Sequence, residues 1–332
     1  MSSPTVPSPL VFEPILKDKV WGGRRLEAFG KHLPPGLAIG ESWELADLAS
    51  TSASGGGGGA AHSKIVGGPM SGRTIRDAVS AWGRGLLGRA KLTPTGGFPL
   101  LVKFLDAREN LSVQVHPSPA YAARHAGAHL KTECWYIMAA EPGSVIYKGV
   151  KPGVTRSAFE KHIATGEVVE DMVAVPAVVG ECHNLPSGTC HALGAGVLVA
   201  EVQTPSDTTY RVYDWGREGR ELHVSQALEC IEWGPAPAAT RIEPGRSRSR
   251  LVTTEFFTVD GVSLPSGGSV AVGGEDAPAV VMMLSGRGVL KCVGMEAVTL
   301  AAGQTCLVPA ACAGGASLTA EGSLSALISV VA

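Results

Sequence analysis

The chain has 332 residues, of which 45% are hydrophobic and 17% are charged, and its formal net charge at pH 7 is −2. A nearly neutral chain gives no electrostatic reason to expect nucleic acid or an anionic membrane as a partner. This length allows a full hydrophobic core and two domains, and the 43 glycines and 22 prolines favour short strands joined by turns.

The cysteines and the apolar runs bear on the cellular compartment. The seven cysteines form no Cys-x-x-Cys motif and cannot all pair, so we expect free thiols in a reducing compartment. The N-terminal stretch MSSPTVPSPLVFEPIL lacks the basic segment and apolar core of a secretory signal. Apolar runs such as PAVVMML fall far below the ~20 residues of a membrane span. We therefore expect a cytoplasmic protein without a membrane partner.

In chain order, the first marked feature is the low-complexity stretch TSASGGGGGAAHSK, which predicts a flexible glycine-rich loop over 51–68. Apolar residues at helical spacing then predict a helix within 71–91, which Ser71 or Arg73–Thr74 can start. Two further helices are expected, at 118–127 with Ser118 as N-cap and at 155–166 with Thr155 as N-cap.

Most of the remaining chain reads as short strands separated by turns, for example FPLLVKFLDA, ECWYIMAA, VLVAEVQT and TYRVYDW. The Pro/Arg/Gly-rich stretch at 233–250 is interpreted as a linker, and further short strands follow it. Even spacing with Gly-rich turns is typical of a jelly roll or sandwich. The last histidine is His223, so any histidine-based metal site belongs to the first two-thirds of the chain.

The stretch NLSVQVHP, at 110–117, alternates with period two and directs Ser112, Gln114 and His116 to one face of a strand. A hydroxyl, an amide and an imidazole in one row suit a metal or a polar ligand inside a barrel. The plainer alternative is a strand whose polar face, with an ordinary histidine, looks at water.

Two further segments supply candidate ligands. LKTECWYIM places Lys131, Glu133 and Trp135 on one side of a strand, and LPSGTCHALGAG leads through a turn to His191. The pattern Gln-x-His, Glu and His offers nitrogen and oxygen ligands, which suit Zn²⁺, and Mn²⁺, Fe²⁺ or Co²⁺ with less preference. Gaps of 17 and 58 residues require separate strands to converge, as inward-facing residues of a jelly roll do. A surface carboxylate and a turn histidine are the alternatives.

The segment AEVQTPSDTTYRVYDWGR adds two charged residues in apolar surroundings. Glu201 lies within the apolar run VLVAEV, so its carboxylate must be paired, hydrogen-bonded or functional. Arg211 lies between Tyr210 and Val212, and arginine favours bidentate contacts with a carboxylate or a phosphate. A structural ion pair between Glu201 and Arg211 is the alternative.

Five stretches, in the same order, resemble the type I mannose-6-phosphate isomerase (phosphomannose isomerase) family in its short bacterial-like form: FEPILKDKVWGGRRL, IGESWELAD, LLVKFLDARENLSVQVHP, KTECWYIM and PSGTCHALGAGVLVAEVQTPSDTTYRVYDWGR. The resemblance covers residues 12 to about 223 and is weak over 51–68 and in the C-terminal third. It implies a mainly β, cupin-type fold. The expected parts are a jelly-roll catalytic domain over 1–240, with a small helical insertion at about 70–92, and a C-terminal cupin-like β-domain without a metal site over 250–332.

The resemblance also implies a site and a reaction. One metal ion per chain, Zn²⁺ with other divalent metals as alternatives, is expected on Gln114, His116, Glu133 and His191. Mannose 6-phosphate and fructose 6-phosphate would interconvert through an enediol. Glu201 and Lys131 are the candidates for the acid and the base, and Arg211 would stabilise negative charge or bind phosphate. Phosphate contacts are expected from Lys103 and Ser112, and the pocket rim from Trp21 and Glu41.

Two rival functions remain open at this point. A non-catalytic sugar-phosphate sensor would keep the metal and the phosphate contacts but lack turnover, and the combination of Glu201, Lys131 and Arg211 speaks against it. A cupin oxygenase would need two histidines and one carboxylate, which His116, Glu133 and His191 also supply. The extra Gln114 and the cationic pocket favour a phosphosugar as the small-molecule partner. We expect a monomer.

Overall fold

The computed structural model describes residues 6–52, 57–274 and 276–332. Strands dominate it, and short helices interrupt them. In the first part of the chain the elements are β1 (Leu10–Glu13), β2 (Ile15–Gly23), β3 (Ile39–Leu45), β4 (Asp47–Leu48), β5 (Ala61–His62), β6 (Lys64–Val66), α1 (Ile75–Trp82), α2 (Arg84–Leu87), β7 (Leu101–Ala107), β8 (Val113–Val115), α3 (Pro119–Ala122), β9 (Glu133–Ala140), β10 (Val145–Val150), α4 (Arg156–Thr165), β11 (Met172–Pro176), β12 (Cys182–Leu185), β13 (His191–Leu193), β14 (Val197–Gln203), β15 (Tyr210–Tyr213) and α5 (Val224–Cys230).

The C-terminal part is built from strands and one short helix. Its elements are β16 (Arg248–Thr253), β17 (Phe257–Leu264), β18 (Ser269–Ala271), β19 (Ala279–Ser285), β20 (Arg287–Lys291), β21 (Val298–Ala301), β22 (Thr305–Val308), α6 (Ala310–Ala313), β23 (Ser317–Ala320) and β24 (Leu324–Val331). Two turns of 3₁₀-helix lie at Arg25–Phe29 and Val168–Asp171. No helix among the described residues is long and apolar enough to cross a membrane.

Two antiparallel sheets form the first sandwich. One has the strand order β11-β10-β13-β8-β15 and the other β12-β9-β14-β7-β2-β3. A single buried cluster contains Ile146 and Leu193 of the five-stranded sheet together with Leu105, Ile137 and Val199 of the six-stranded sheet, so the two inner faces pack on each other. This is the arrangement of a jelly roll, and the predicted mainly β fold class is confirmed.

A second sandwich lies in the C-terminal part. A seven-stranded sheet of order β16-β17-β24-β19-β22-β1-β6 faces a four-stranded sheet of order β18-β23-β20-β21. Strand β1 pairs with β22 in the register Leu10 to Leu307, so two strands from the N-terminal part complete this sheet. The division of the chain at 240–250 stays a prediction.

The helices begin at the caps that the sequence indicates. Thr74 caps α1 in a reciprocal capping box with Asp77, and α1 ends at Gly83, whose φ is 47°. Ser118 caps α3 and Thr155 caps α4. Helix α3 stops at Ala122, well short of the expected 127. The region of α1 and α2 matches the expected helical insertion.

The glycine-rich stretch is only partly a loop. Residues 53–56 lie outside the described residues, whereas Ala61–His62 and Lys64–Val66 form the short strands β5 and β6. Strand formation here follows from burial, because Ile65 is 2% exposed and packs into the main hydrophobic cluster. The expected flexible loop at 51–68 therefore carries strands at its C-terminal end.

Candidate metal centre and active site

Polar side chains from the two sheets of the first sandwich face each other across one cavity. Eight of the eleven predicted site residues line it: Trp21, Glu41, Lys103, Ser112, Gln114, Lys131, Glu201 and Arg211. The other three, His116, Glu133 and His191, lie together and are almost fully buried. The structure thus brings all the predicted site residues into one region.

The group that could hold a metal ion consists of His116, Glu133 and His191. One ligand atom from each residue lies within 4.8 Å of the others. Glu133 is the first residue of β9 and His191 is the first residue of β13, whereas His116 directly follows β8. Three separate strands therefore deliver the group, which is why distant positions in the sequence can form one site.

Backbone carbonyls set the orientation of both histidine rings. Nδ1 of His116 lies 2.9 Å from the Thr208 carbonyl oxygen, and Nδ1 of His191 lies 2.8 Å from that of Thr189. A carbonyl oxygen only accepts, so each Nδ1 carries the proton and each Nε2 presents a lone pair. The Nε2 atoms lie 3.5 Å and 3.2 Å from the Glu133 carboxylate oxygens. These are the tautomers in which histidine binds a metal.

The charges in this group also suit a cation. Burial and the neighbouring Lys131 lower the pKa of His116 to about 3, which keeps its imidazole neutral. Burial would raise the pKa of Glu133, but Lys131 and His116 outweigh it and hold the pKa well below its usual range. Two imidazoles and one carboxylate fit a divalent metal with nitrogen and oxygen ligands. The group therefore supports the expectation of a metal cofactor.

Lys131 and Gln114 border the metal group. Nζ of Lys131 lies 2.6 Å from Glu133 Oε2 and 3.2 Å from His116 Nε2. The Gln114 amide nitrogen lies 3.4 Å from His191 Nε2, and its oxygen accepts from the Ser112 hydroxyl at 3.2 Å. Gln114 also lies directly opposite His191 in the sheet. Both side chains thus connect the metal group to the cavity.

A row of side chains crosses the six-stranded sheet in register: Trp135, Glu201, Lys103 and Trp43. Glu201 is 1% exposed, and its carboxylate accepts from the Trp135 indole at 2.9 Å and pairs with Lys103 at 3.1 Å. Strand β14 lies between β9 and β7 and is buried on both faces, which explains the apolar run around Glu201. The partner of Glu201 is Lys103, rather than Arg211.

A second carboxylate, that of Glu41, lies beside this row, two residues before Trp43 on β3. Glu41 Oε2 lies 3.5 Å from the Lys103 ammonium, and Glu41 Oε1 lies 3.3 Å from that of Lys19. Burial would raise the pKa of Glu41, but Lys103 and Lys19 lower it to about 2. Burial would lower the pKa of Lys103, but Glu201 and Glu41 raise it. Glu41 and Lys103 therefore both stay charged.

Arg211 faces the cavity from the opposite sheet. It lies beside Gln114 in the register of β15 and β8 and is 3% exposed. Its Nη1 donates to the Glu221 carbonyl at 2.7 Å, whereas its buried Nε has no hydrogen-bond partner among the described residues. An unsatisfied buried donor is costly unless something else fills its place. The guanidinium therefore lines the cavity with one donor that no described residue uses.

The sequence reasoning missed several residues of the cavity wall, among them Lys19, Asp207 and Arg220. A signal existed for Lys19, because it lies two positions before Trp21 on the same strand and shares its face. No comparable signal existed for Asp207 or Arg220, which lie in irregular segments outside any strand.

Comparison with known proteins decides the family. A family model of the phosphomannose isomerase type I catalytic domain matches residues 11–144. A mannose-6-phosphate isomerase of Streptococcus mutans is 35% identical over 311 residues, which cover 91% of this chain and 92% of that protein. This chain belongs to the type I phosphomannose isomerase family. The expected isomerase is confirmed by this membership, and the non-catalytic sensor is not favoured.

Solved structures agree with the assignment. The crystal structure of the mannose 6-phosphate isomerase from Bacillus subtilis matches with a TM-score of 0.81 and 28% identity, over 97% of this chain and 99% of that one. A zinc-bound mannose 6-phosphate isomerase structure, 16% identical with a TM-score of 0.74 over 98% of this chain and 99% of that one, has the same fold. Members of this family thus share the two-sandwich architecture described above.

Proposed function

We propose that the protein interconverts mannose 6-phosphate and fructose 6-phosphate in this cavity. The reaction moves a proton between C2 and C1 of the sugar and passes through an enediol. The observation that carries this proposal is the contact of a buried metal-ligating group with a cavity that offers a lysine, a glutamate and an arginine. A C–H bond beside a carbonyl is a weak acid. Its ionisation requires both a positioned base and a stabiliser of negative charge.

We assign the metal ligands to His116, Glu133 and His191, and we propose one Zn²⁺ per chain. Gln114 would add its amide oxygen once its amide group turns over, because here its nitrogen faces His191 and its oxygen faces Ser112. Support comes from the two Nε2 lone pairs and the carboxylate that converge in one buried group. When bound, such a metal supplies a Lewis acid that polarises a substrate oxygen. The chain itself holds the ligands in place through the Thr208 and Thr189 carbonyls.

The charges lining the cavity favour a phosphorylated substrate. Among the described residues, the lining contains five cationic side chains and three anionic ones, which leaves an excess of two positive charges. A phosphate monoester carries about −1.5 to −2 at pH 7 and matches this excess. Lys103, Ser112 and Arg211 are the proposed phosphate or oxyanion contacts, and the Lys103 ammonium also pairs with Glu201 and Glu41.

Glu201 and Lys131 are the proposed acid and base. Glu201 is oriented by the Trp135 indole and held beside Lys103, so its carboxylate has a fixed position in the cavity wall. Lys131 lies between the cavity and the metal group. Trp21 and Glu41 complete the wall near the rim, where Glu41 keeps Lys19 and Lys103 in place.

Replacement of Glu201 by glutamine tests the assignment of the base. The amide preserves size and can still accept from Trp135, but it cannot take up a proton. We expect kcat to fall by about 100- to 10,000-fold, with the metal content unchanged. Exchange of the substrate C2 hydrogen with deuterated solvent should slow by the same factor.

Lys131→Met is the matched comparison for Glu201→Gln. If Lys131 is the base, deuterium exchange will stop in that variant and persist in Glu201→Gln. Wild-type exchange in both variants would contradict the assignment of either residue as the base. Metal analysis of both variants separates loss of the base from loss of the metal.

The remaining expectations stay proposals. We propose a cytoplasmic monomer, supported by the near-neutral net charge and by seven cysteines that are all free and buried. We also propose the two domains 1–240 and 250–332, supported by a separate hydrophobic cluster in each sandwich. Two histidines and one carboxylate would also fit the iron site of a cupin oxygenase. The cationic cavity favours the isomerase.

A further inference from the structure

Three sulfur atoms meet at one end of the second sandwich, far along the chain from the isomerase site. Cys292 directly follows β20, Met295 lies three residues later in the turn to β21, and Cys312 lies in α6. The Cys312 sulfur is 3.6 Å from the Met295 sulfur. A backbone hydrogen bond of 3.2 Å from Met295 to the Cys292 carbonyl closes the turn that holds Cys292 in the same buried cluster as Cys312. Two separate segments of the chain therefore assemble one sulfur cluster of Cys292, Met295 and Cys312.

The sulfur cluster lies just beneath the protein surface. Cys292 and Cys312 are each 6% exposed and belong to the hydrophobic cluster of this sandwich, and Met295 packs against it. The neighbouring Val293 is 83% exposed, so the turn from Cys292 to Met295 lies at the protein surface. The Cys312 thiol also donates to the Pro7 carbonyl at 3.3 Å.

All three sulfur atoms of the cluster are soft, polarisable metal ligands. Two cysteine thiols and one thioether would supply sulfur ligands only. Among the described residues, the only group of three or more His, Cys, Asp or Glu side chains that could hold an ion is the one at the isomerase site. The sulfur cluster therefore lacks the four ligands that a structural zinc site requires.

We infer that Cys292, Met295 and Cys312 form a binding site for one monovalent copper ion. Thiolate and thioether ligands select Cu(I) over harder divalent ions, and three sulfurs suffice for it. Binding deprotonates the two thiols, releases their protons to solvent and changes no oxidation state. The Cys312 hydrogen bond to Pro7 is lost in the process, which links the site to the N-terminal segment before β1.

The test is an anaerobic titration of the zinc-loaded full-length protein with Cu(I) against a chromogenic Cu(I) chelator. Prior loading with zinc occupies the histidines of the isomerase site. We expect one equivalent of Cu(I) to be retained. Met295→Leu should weaken its affinity by about 10-fold, and Cys292→Ser or Cys312→Ser by about 100-fold or more. Cys230→Ser, which removes a buried cysteine elsewhere, is the matched control and should bind like the wild type.

Three outcomes would overturn the inference. They are the absence of Cu(I) retention, retention that all three cluster variants leave unchanged, and an intact mass 2 Da low that shows a Cys292–Cys312 disulfide in the protein as purified. If the serine variants do not fold, Met295→Leu decides alone, because leucine preserves the side-chain volume and removes only the thioether. None of these results depends on the isomerase reaction, so the two proposals succeed or fail separately.

Discussion

Replacement of His191 by alanine is expected to remove the metal and the isomerase activity together. The substitution deletes one of only two imidazoles in the buried group and leaves Glu133 and His116 without their common partner. Even changes around a metal ligand cost about 10- to 100-fold in affinity, so loss of a ligand should cost more than 100-fold. Turnover should fall to background. Metal analysis of the purified protein, together with the rate, measures both effects.

His116→Ala should give the same result, because its Nε2 faces the same carboxylate. His32→Ala, at an exposed histidine outside the site, is the control and should retain metal and rate. Excess Zn²⁺ should restore part of the metal content but not the rate. Stoichiometric metal in both His116→Ala and His191→Ala would disprove the ligand assignment.

Replacement of Arg211 by alanine is expected to reduce kcat far more than stability. Loss of one preorganised donor to a developing negative charge costs about 100- to 1000-fold in rate. Loss of the hydrogen bond to the Glu221 carbonyl costs about 1–2 kcal/mol of unfolding free energy. The metal group does not include Arg211 and should stay loaded. Steady-state kinetics, metal analysis and denaturant unfolding measure the three effects.

Two comparison variants sharpen the Arg211 experiment. Arg211→Lys keeps the charge but loses the planar set of donors, so it should restore only part of the rate. Arg246→Ala removes an arginine from an exposed ion pair with Glu243 and should leave all three quantities unchanged. If Arg211→Ala has a wild-type kcat and only a raised KM, then Arg211 binds the substrate and the transition state equally and does not speed the chemical step.

The local patterns of the sequence were enough to place many of the site residues. Period-two alternation put Gln114 on one strand face with Ser112, and the apolar run around Glu201 identified a buried carboxylate. Thr74, Ser118 and Thr155 each cap the helix expected after them. These features depend on neighbours within a few residues, which is why a single sequence contains them.

Features that depend on long-range pairing could not be predicted. Glu201 pairs with Lys103 because β14 and β7 align these two residues directly, a register that no local pattern specifies. The carbonyls of Thr208 and Thr189 orient the histidines, although backbone groups leave no trace in residue type. The pairing of β1 with β22 joins residues almost 300 positions apart and was likewise not foreseen.

Helix α3 shows how local competition shortens an element. The sequence SPAYAARHAG predicts a helix to residue 127, but α3 ends at Ala122. The Tyr121 carbonyl accepts from the backbone N–H groups of Arg124 and His125 and from the His125 ring at 3.0 Å, and the two rings stack. Three donors share this carbonyl, and the regular helical hydrogen bonds do not continue beyond it. Side-chain contacts of this kind compete with the backbone hydrogen bonds of a helix.

The most direct test of the central claim is one assay of mannose 6-phosphate turnover, with fructose 6-phosphate detected by coupling. It is run before chelation, after chelation, and after stepwise return of Zn²⁺ with the bound metal counted. We predict that chelation abolishes turnover and that the rate returns in proportion to zinc, reaching its maximum at one ion per chain. Full turnover after complete removal of the metal, or no turnover by a folded and zinc-loaded chain, would contradict the account.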